Sequence, residues 1–193
     1  LSTGATVAQP ISELDAVEAL FAGDGRARAA LRAVDWAATP LGAVRRWPAA
    51  LALAVRNSMS SQLPNCIFWG PEFVQIYNEA FLPTLGAKPS AAGKPARLTW
   101  PELWRVLGPQ LESVLQTGKA VFAEDQLSQP ERHGYPEELY LTSSYSALHD
   151  MDGTSRGVLC TATETTARVR ATRRLKVLCE LAAIKSGESA LLA

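Results

Sequence analysis

The stretch Phe73-Val74-Gln75-Ile76-Tyr77-Asn78-Glu79-Ala80-Phe81 decides the fold. Gln75 apart, its first five residues are aromatic or β-branched, the composition of a strand. Asn78 breaks the run. Its side-chain oxygen can accept from an orphan backbone N–H, so it reads as the cap of a short helix over residues 79–85 that Gly86 ends. Upstream, the apolar run 66–69 and the turn pair Gly70-Pro71 supply a partner strand and a tight reversal. Downstream, Thr99 and Glu102 have capping-box spacing around Trp100-Pro101, which predicts a helix carrying Leu103, Trp104 and Leu107. Gly108-Pro109 reads as a restart of that helix, with Leu111, Val114 and Leu115 on one face and Gly118 closing it.

Three more strands are predicted, over residues 120–127, 139–148 and 157–163. A polar loop, 128–137, separates the first two. Asp150-Met151-Asp152-Gly153 turns between the last two, because Asp-Gly readily takes the positive-φ geometry of a hairpin. The first third is helical. Ser12 caps a segment with Leu14, Val17, Leu20 and Phe21 at helical spacing, Gly23-Asp24-Gly25 stops it, and a short helix covers 26–34. Pro48 suits the first turn of a third helix, in which Leu51, Val55 and Met59 share a face. After Thr166 the chain is helical again, with Leu175, Leu178 and Ala182 spaced as in a coiled-coil seam and Arg168, Arg170, Arg173, Arg174 and Lys176 on its first turns. This order predicts an α+β fold: a five-stranded antiparallel sheet with short helices on one face. The expected division is an N-terminal helical extension (1–57), the sheet domain (58–166) and a C-terminal exit helix or linker (167–193). Within the last of these, residues 185–193 read as a frayed end or as part of a next segment.

The 193 residues are 47% hydrophobic and 20% charged, with 19 Lys+Arg against 19 Asp+Glu. That apolar share builds a core and excludes global disorder. Balanced charge leaves no electrostatic footprint for general nucleic-acid or membrane-surface binding. No apolar run nears the ~20 residues of a membrane span, and residues 1–10 lack the basic start and apolar stretch of a signal peptide. Three scattered cysteines, Cys66, Cys160 and Cys179, point to a reducing, cytoplasmic setting rather than a disulfide framework or a zinc site. The chain begins at Leu1 and reads as a piece of something longer.

Four matches in sequence order resemble the PAS sensor-domain family, over residues 60–174. The stretch from Phe73 to Phe81 resembles the family's second strand running into an Asn-initiated helix. Tyr145-Ser146-Ala147-Leu148 with Asp150-Met151-Asp152-Gly153 resembles its penultimate strand and hairpin, and Arg156-Gly157-Val158-Leu159-Cys160-Thr161 its final strand. Glu164-Thr165-Thr166, followed by Arg168, stands where the family commonly has Asp-x-Thr at the strand-to-helix junction; here Glu replaces Asp. Asp35-Trp36, Thr39-Pro40-Leu41-Gly42 and Trp47-Pro48 resemble the lead-in of PAS domains in bacterial sensor histidine kinases. The resemblance implies a module that binds a small ligand or partner and passes a signal through Asn78, Glu164 and Thr166 into the exit helix. It implies a homodimer through the terminal helices and a downstream kinase domain in a two-component system, with the phosphorylated histidine and ATP site outside these residues. A ligand-free dimerisation or spacer module, or a flavin or haem redox sensor, are the alternatives.

The residues themselves offer little catalytic chemistry. His133 lies in the polar loop and His149 beside the hairpin, neither placed as an axial haem ligand. Asn65-Cys66 superficially resembles the flavin-photoreceptor branch, but there the reactive thiol comes after the second strand, whereas Cys66 begins the first. Residues 86–94 fail the phosphate-loop pattern, which needs four residues before Gly-Lys and Ser or Thr after it. Glu124-Asp125 and Glu137-Glu138 are adjacent pairs whose members point to opposite faces of a strand. Ser143, Ser144 and Ser146 have no histidine and acid arranged with them. No catalytic residue, metal site or required cofactor is assigned. The candidate ligand-lining residues are aromatic: Trp69, Tyr77, Phe81, Trp104, Phe122 and Tyr145, which can line a cavity or fill a core. The loop 128–137 is unusually polar and proline-interrupted, so no ligand contact is carried into it from the resemblance. The arginines after Thr166 read as a solvated helix face, a salt-bridge set for a dimer partner, or a nucleic-acid surface.

Overall fold

The computed structural model describes residues 11–191, with side chains as far as residue 183. The expectations for residues 1–10 and the last two residues lie outside the described residues. Ser12 starts α1 (Glu13–Leu20) by accepting a hydrogen bond from the Asp15 N–H at 3.1 Å. Val17, Leu20 and Phe21 are buried, while Leu14 is exposed: the apolar stripe is correct in angle but runs out at the helix's first turn. α2 spans Arg26–Arg32 and α3 spans Ala49–Ser60. Between them, Trp36 stacks on Phe21 with centroids 5.8 Å apart and meets Trp47 edge-on at 4.9 Å. Both indole N–H groups donate to backbone carbonyls, of Leu31 and Gly42.

The caps of this layer come from far along the chain. Glu13 accepts from the N–H groups of Val44 and Arg45, and Glu79 accepts from those of Arg26 (3.0 Å) and Ala27 (2.8 Å). Gly25 has φ 126°, a conformation that favours glycine, and a Cβ there would lie 2.5 Å from the Glu79 carboxylate and push it off its N–H donors.

Five strands form one antiparallel sheet: β1 (Asn65–Trp69), β2 (Val74–Tyr77), β3 (Val121–Ser128), β4 (Leu139–His149) and β5 (Ser155–Glu164), in the order β2-β1-β5-β4-β3. The β2–β3 crossover carries α4 (Leu82–Leu85), α5 (Ala96–Thr99) and α6 (Trp104–Thr117) over one face. The register puts Ile67 and Ile76 on the opposite face, and both are fully buried. α3 runs against β1, β2 and β4, so the N-terminal layer covers that second face. One continuous core includes Val17 at one end of the chain and Ala162 at the other. The expected boundary at residue 57 falls inside α3.

Three local expectations change. Thr99 is the last residue of α5 and not a cap, because its hydroxyl accepts from the buried Gln75 carboxamide at 2.7 Å. α6 begins at Trp104 with no side-chain cap and runs unbroken through Gly108-Pro109. Pro109 removes the bond its N–H would make to the Arg105 carbonyl, yet the buried face formed by Leu111 and Val114 holds the helix together. The exit helix α7 (Thr166–Leu191) continues through most of the segment expected to fray.

Candidate functional site

Strand alternation builds the floor of a cavity of about 290 Å³. Leu139, Leu141, Ser143 and Tyr145 lie on one face of β4, in register with Cys160 and Ala162 of β5. On β3 an extra residue interrupts the ladder between Ala123 and Gln126, with Asp125 in the left-handed region at φ 48°. That bulge pairs Gln126 with Leu141 and turns Gln126 and Ser128 to the cavity face. α6 and the turn before it supply the roof with Leu103, Leu107 and Gln110, spaced four and three apart on one helical face.

The back wall is fixed by a satisfied buried amide. Gln75 donates to Thr99 and to the Lys94 carbonyl, and accepts from the Trp100 indole N–H at 2.9 Å. Lys88 sits 5.2 Å above the Trp100 ring and forms a 3.0 Å ion pair with Glu102. Glu102 also accepts from the Glu131 N–H. Burial alone would raise the Glu102 pKa, but Lys88 and the backbone donors outweigh it and hold the carboxyl below its usual range.

The polar loop closes the mouth. Ser128, Gln129 and Pro130 line the cavity, a contribution that the resemblance did not supply. Arg132 anchors it, donating to Glu137 at 2.8 Å, to the Pro83 carbonyl and to Glu164 at 3.3 Å. Gly86, at φ 59°, permits this approach, since a Cβ there would lie 2.7 Å from that of Arg132. His133 pairs with the same Glu137, and His149 lies next to Gly118; neither is in the cavity lining.

Burial pushes the Cys160 thiol up to about 12 and the Cys66 thiol well above its ordinary value. Burial, with Cys160 alongside, also raises the Tyr145 phenol. These groups are neutral near pH 7. The thiols offer no thiolate nucleophile, and Tyr145 offers an O–H donor.

Of the six aromatic candidates, the structure brings Phe81 and Tyr145 into the lining. Tyr77 shares their face but packs on Phe81 at 6.1 Å, its hydroxyl facing Ser90. Trp104 leaves the cavity to pack on Phe73 and Gly108. Trp69 lies on the opposite face, over Gly157. Phe122 pairs with Ser144 on that outer face and is 67% exposed. Sequence reading missed Phe68, Trp100 and the aliphatic and amide lining. Alternation along residues 139–145 and the spacing 103–107–110 are the signals that carried it.

The three relay candidates do not meet. Asn78 is buried; its oxygen accepts from the N–H groups of Asn65 and Phe81, and its NH2 faces the carbonyls of Ser58, Ser61 and Leu63. It joins α3 to β1 and caps the 3-10 turn Glu79–Phe81. Glu164 and Thr166 lie at the exit helix. The Thr166 hydroxyl accepts from the Tyr140 N–H at 3.0 Å, and the Thr165 N–H donates to the Tyr140 carbonyl at 2.8 Å. Arginines of α7 also hold the sheet. Arg168 donates to Asp125 of the bulge at 2.6 Å, Arg173 to Glu138 at 2.9 Å, and Arg170 to the Glu138 carbonyl. Farther along, Leu175, Val177, Leu178 and Leu181 are exposed.

Among the described residues, no cluster of three or more metal-ligating side chains occurs, and no helix is long and apolar enough to cross a membrane. No family model matches the chain, and no curated protein does. Solved structures similar to it include a sensory box sensor histidine kinase from Vibrio cholerae, at 21% identity over 60% of this chain and 91% of that one, with a TM-score of 0.42. The PAS domain of Bordetella pertussis BvgS is similar at 19% identity over 67% of this chain and 96% of its own, TM-score 0.49. A PAS domain from Colwellia psychrerythraea is similar at 12% identity over 61% and 98% of the two chains, TM-score 0.45.

Proposed function

We propose that this chain is a PAS-type sensory module that binds a small molecule between α6 and the β3–β4 end of its sheet and relays the event into α7. The observation that carries this reading is the cavity of about 290 Å³, close to the small end of ligand pockets (~300–1,000 Å³). Its lining reaches the exit helix by two short routes. Gln126 in the lining comes directly after Asp125, the partner of Arg168, and Leu139 precedes Tyr140, which is bonded to Thr165 and Thr166. A ligand that moves either strand alters the footing of α7, to the extent that it binds the two arrangements differently. In this reading the chain performs no catalysis, acts in the cytoplasm, pairs with a second copy and controls a downstream histidine kinase.

A second reading, a ligand-free dimerisation spacer, is favoured by the exposed Leu175, Val177, Leu178 and Leu181 on α7. Native mass spectrometry of the purified chain, with denaturing release of anything bound, separates the two. A stoichiometric small molecule supports the sensor. A bare dimer that also fails to take up small probes in the cavity leaves the spacer.

A further inference from the structure

Resting on the sensory-cavity reading above, we infer that the cavity selects a small uncharged molecule presenting a hydrogen-bond donor and acceptor side by side, as a lactam or amide edge does. The charge of the site carries the first half. Glu102 is the charged side chain of the lining, and its carboxylate is already engaged by Lys88 at 3.0 Å and by the Glu131 N–H at 3.1 Å. An anionic ligand meets no free cation in the lining and lies beside a carboxylate, so its burial goes uncompensated. A cationic ligand gains Glu102 only by displacing Lys88 from the contact that joins α6's approach to the loop.

Two half-buried carboxamides carry the second half, with Gln129 a third, exposed one at the mouth. Gln110 projects from the helical roof and Gln126 from the sheet; both line the cavity and are half-buried, and neither side chain makes a hydrogen bond among the described residues. Gln75, close by, has both its amide groups engaged. A carboxamide offers one acceptor and two donors at a fixed spacing, and its complement is another amide-like edge. The remaining lining, including Phe81, Leu103, Leu107 and Leu141, suits an apolar body behind that edge. A purely apolar guest would leave both amides dependent on water at the mouth.

The test is a titration of the isotopically labelled 193-residue chain, monitored by backbone amide NMR, with three probes of similar size: 2-pyridone, benzoate and toluene. The expected result is that 2-pyridone shifts the lining amides with a Kd about tenfold below that of benzoate, as one or two added hydrogen bonds would produce. The double variant Gln110→Leu/Gln126→Leu should lose about tenfold toward 2-pyridone and hold toluene within about twofold. Gln126→Met alone, close in size, should weaken 2-pyridone several-fold and serves if the double variant does not fold. Benzoate binding as tightly as 2-pyridone overturns the inference, and so does an unchanged 2-pyridone affinity in the variants. Toluene binding with no preference for 2-pyridone removes the inference and leaves the cavity reading standing. No response to any probe removes both.

Discussion

The two ends of the sheet are built to different standards. At the β1–β2 end both faces are covered: Ile67 and Ile76 are fully buried on one side, Gln75 and Tyr77 on the other, and every polar atom of Gln75 and Asn78 has a partner. At the β3–β4 end the strands keep a groove under α6, with the half-buried Gln110 and Gln126 unpartnered among the described residues and a left-handed aspartate in the ladder. Labour is divided within one sheet. Packing density sets stability at the filled end, whereas the open end retains space and hydrogen-bonding capacity that only a guest can use.

The largest expected break of this contrast is Trp36→Ala in the filled layer. It should cost about 3–5 kcal/mol in urea unfolding, as large aromatic deletions from cores do. A loss below about 1 kcal/mol would mean that the N-terminal layer is not integral to the core. Alkaline pH comes next. Cys160 is raised to about 12 by burial, so the unfolded chain loses that proton first as pH rises above the ordinary thiol range. Stability should therefore be complete below about pH 8.5 and fall steadily as pH rises above it, with Cys66 and Tyr145 acting in the same direction. In Cys160→Ala the slope of the urea midpoint against pH should be shallower; an unchanged slope would discount the thiol.

Asn78→Ala should cost about 1–3 kcal/mol, because it leaves the N–H groups of Asn65 and Phe81 without their acceptor. One substitution made at both ends then sharpens the comparison. Ala27→Leu, at a fully buried site beneath α2's neighbours, should destabilise by about 1–3 kcal/mol through overpacking. Ala162→Leu, which projects into the cavity, should change stability by less than about 1 kcal/mol while abolishing probe binding. Equal costs would dissolve the distinction between filled and open ends. The smallest effect belongs to Arg168→Ala. The pair with Asp125 is half-exposed, so thermal unfolding should register about 0.2–1 kcal/mol. Its informative readout is hydrogen exchange at the start of α7, which should quicken even where stability barely moves.

Much of this architecture was legible because local chemistry repeats with the period of the element. The aromatic and β-branched run in residues 73–77, the Asp150–Gly153 turn, the Ser12 cap and the Asn78 cap each act within a few residues, and each is found in the structure. The misreadings share one cause. Thr99 and Glu102 have the spacing of a capping box, but Gln75 and Lys88 compete for the same atoms from elsewhere in the chain. Phe122 and Trp69 are large and aromatic, yet strand register places both on the face away from the cavity. Residue type suggested a pocket wall; parity decided the side.

The five strands, their α+β order, the principal turns and two of the caps follow from local sequence, because backbone propensity and side-chain period are properties of short stretches. Tertiary structure alone decided where the space lies. A single extra residue in β3 reverses which side chains face α6, and the approach of α6, the polar loop and Arg132 encloses what that reversal exposes. A cavity belongs to surfaces that meet across many residues, and no local stretch contains both of its walls.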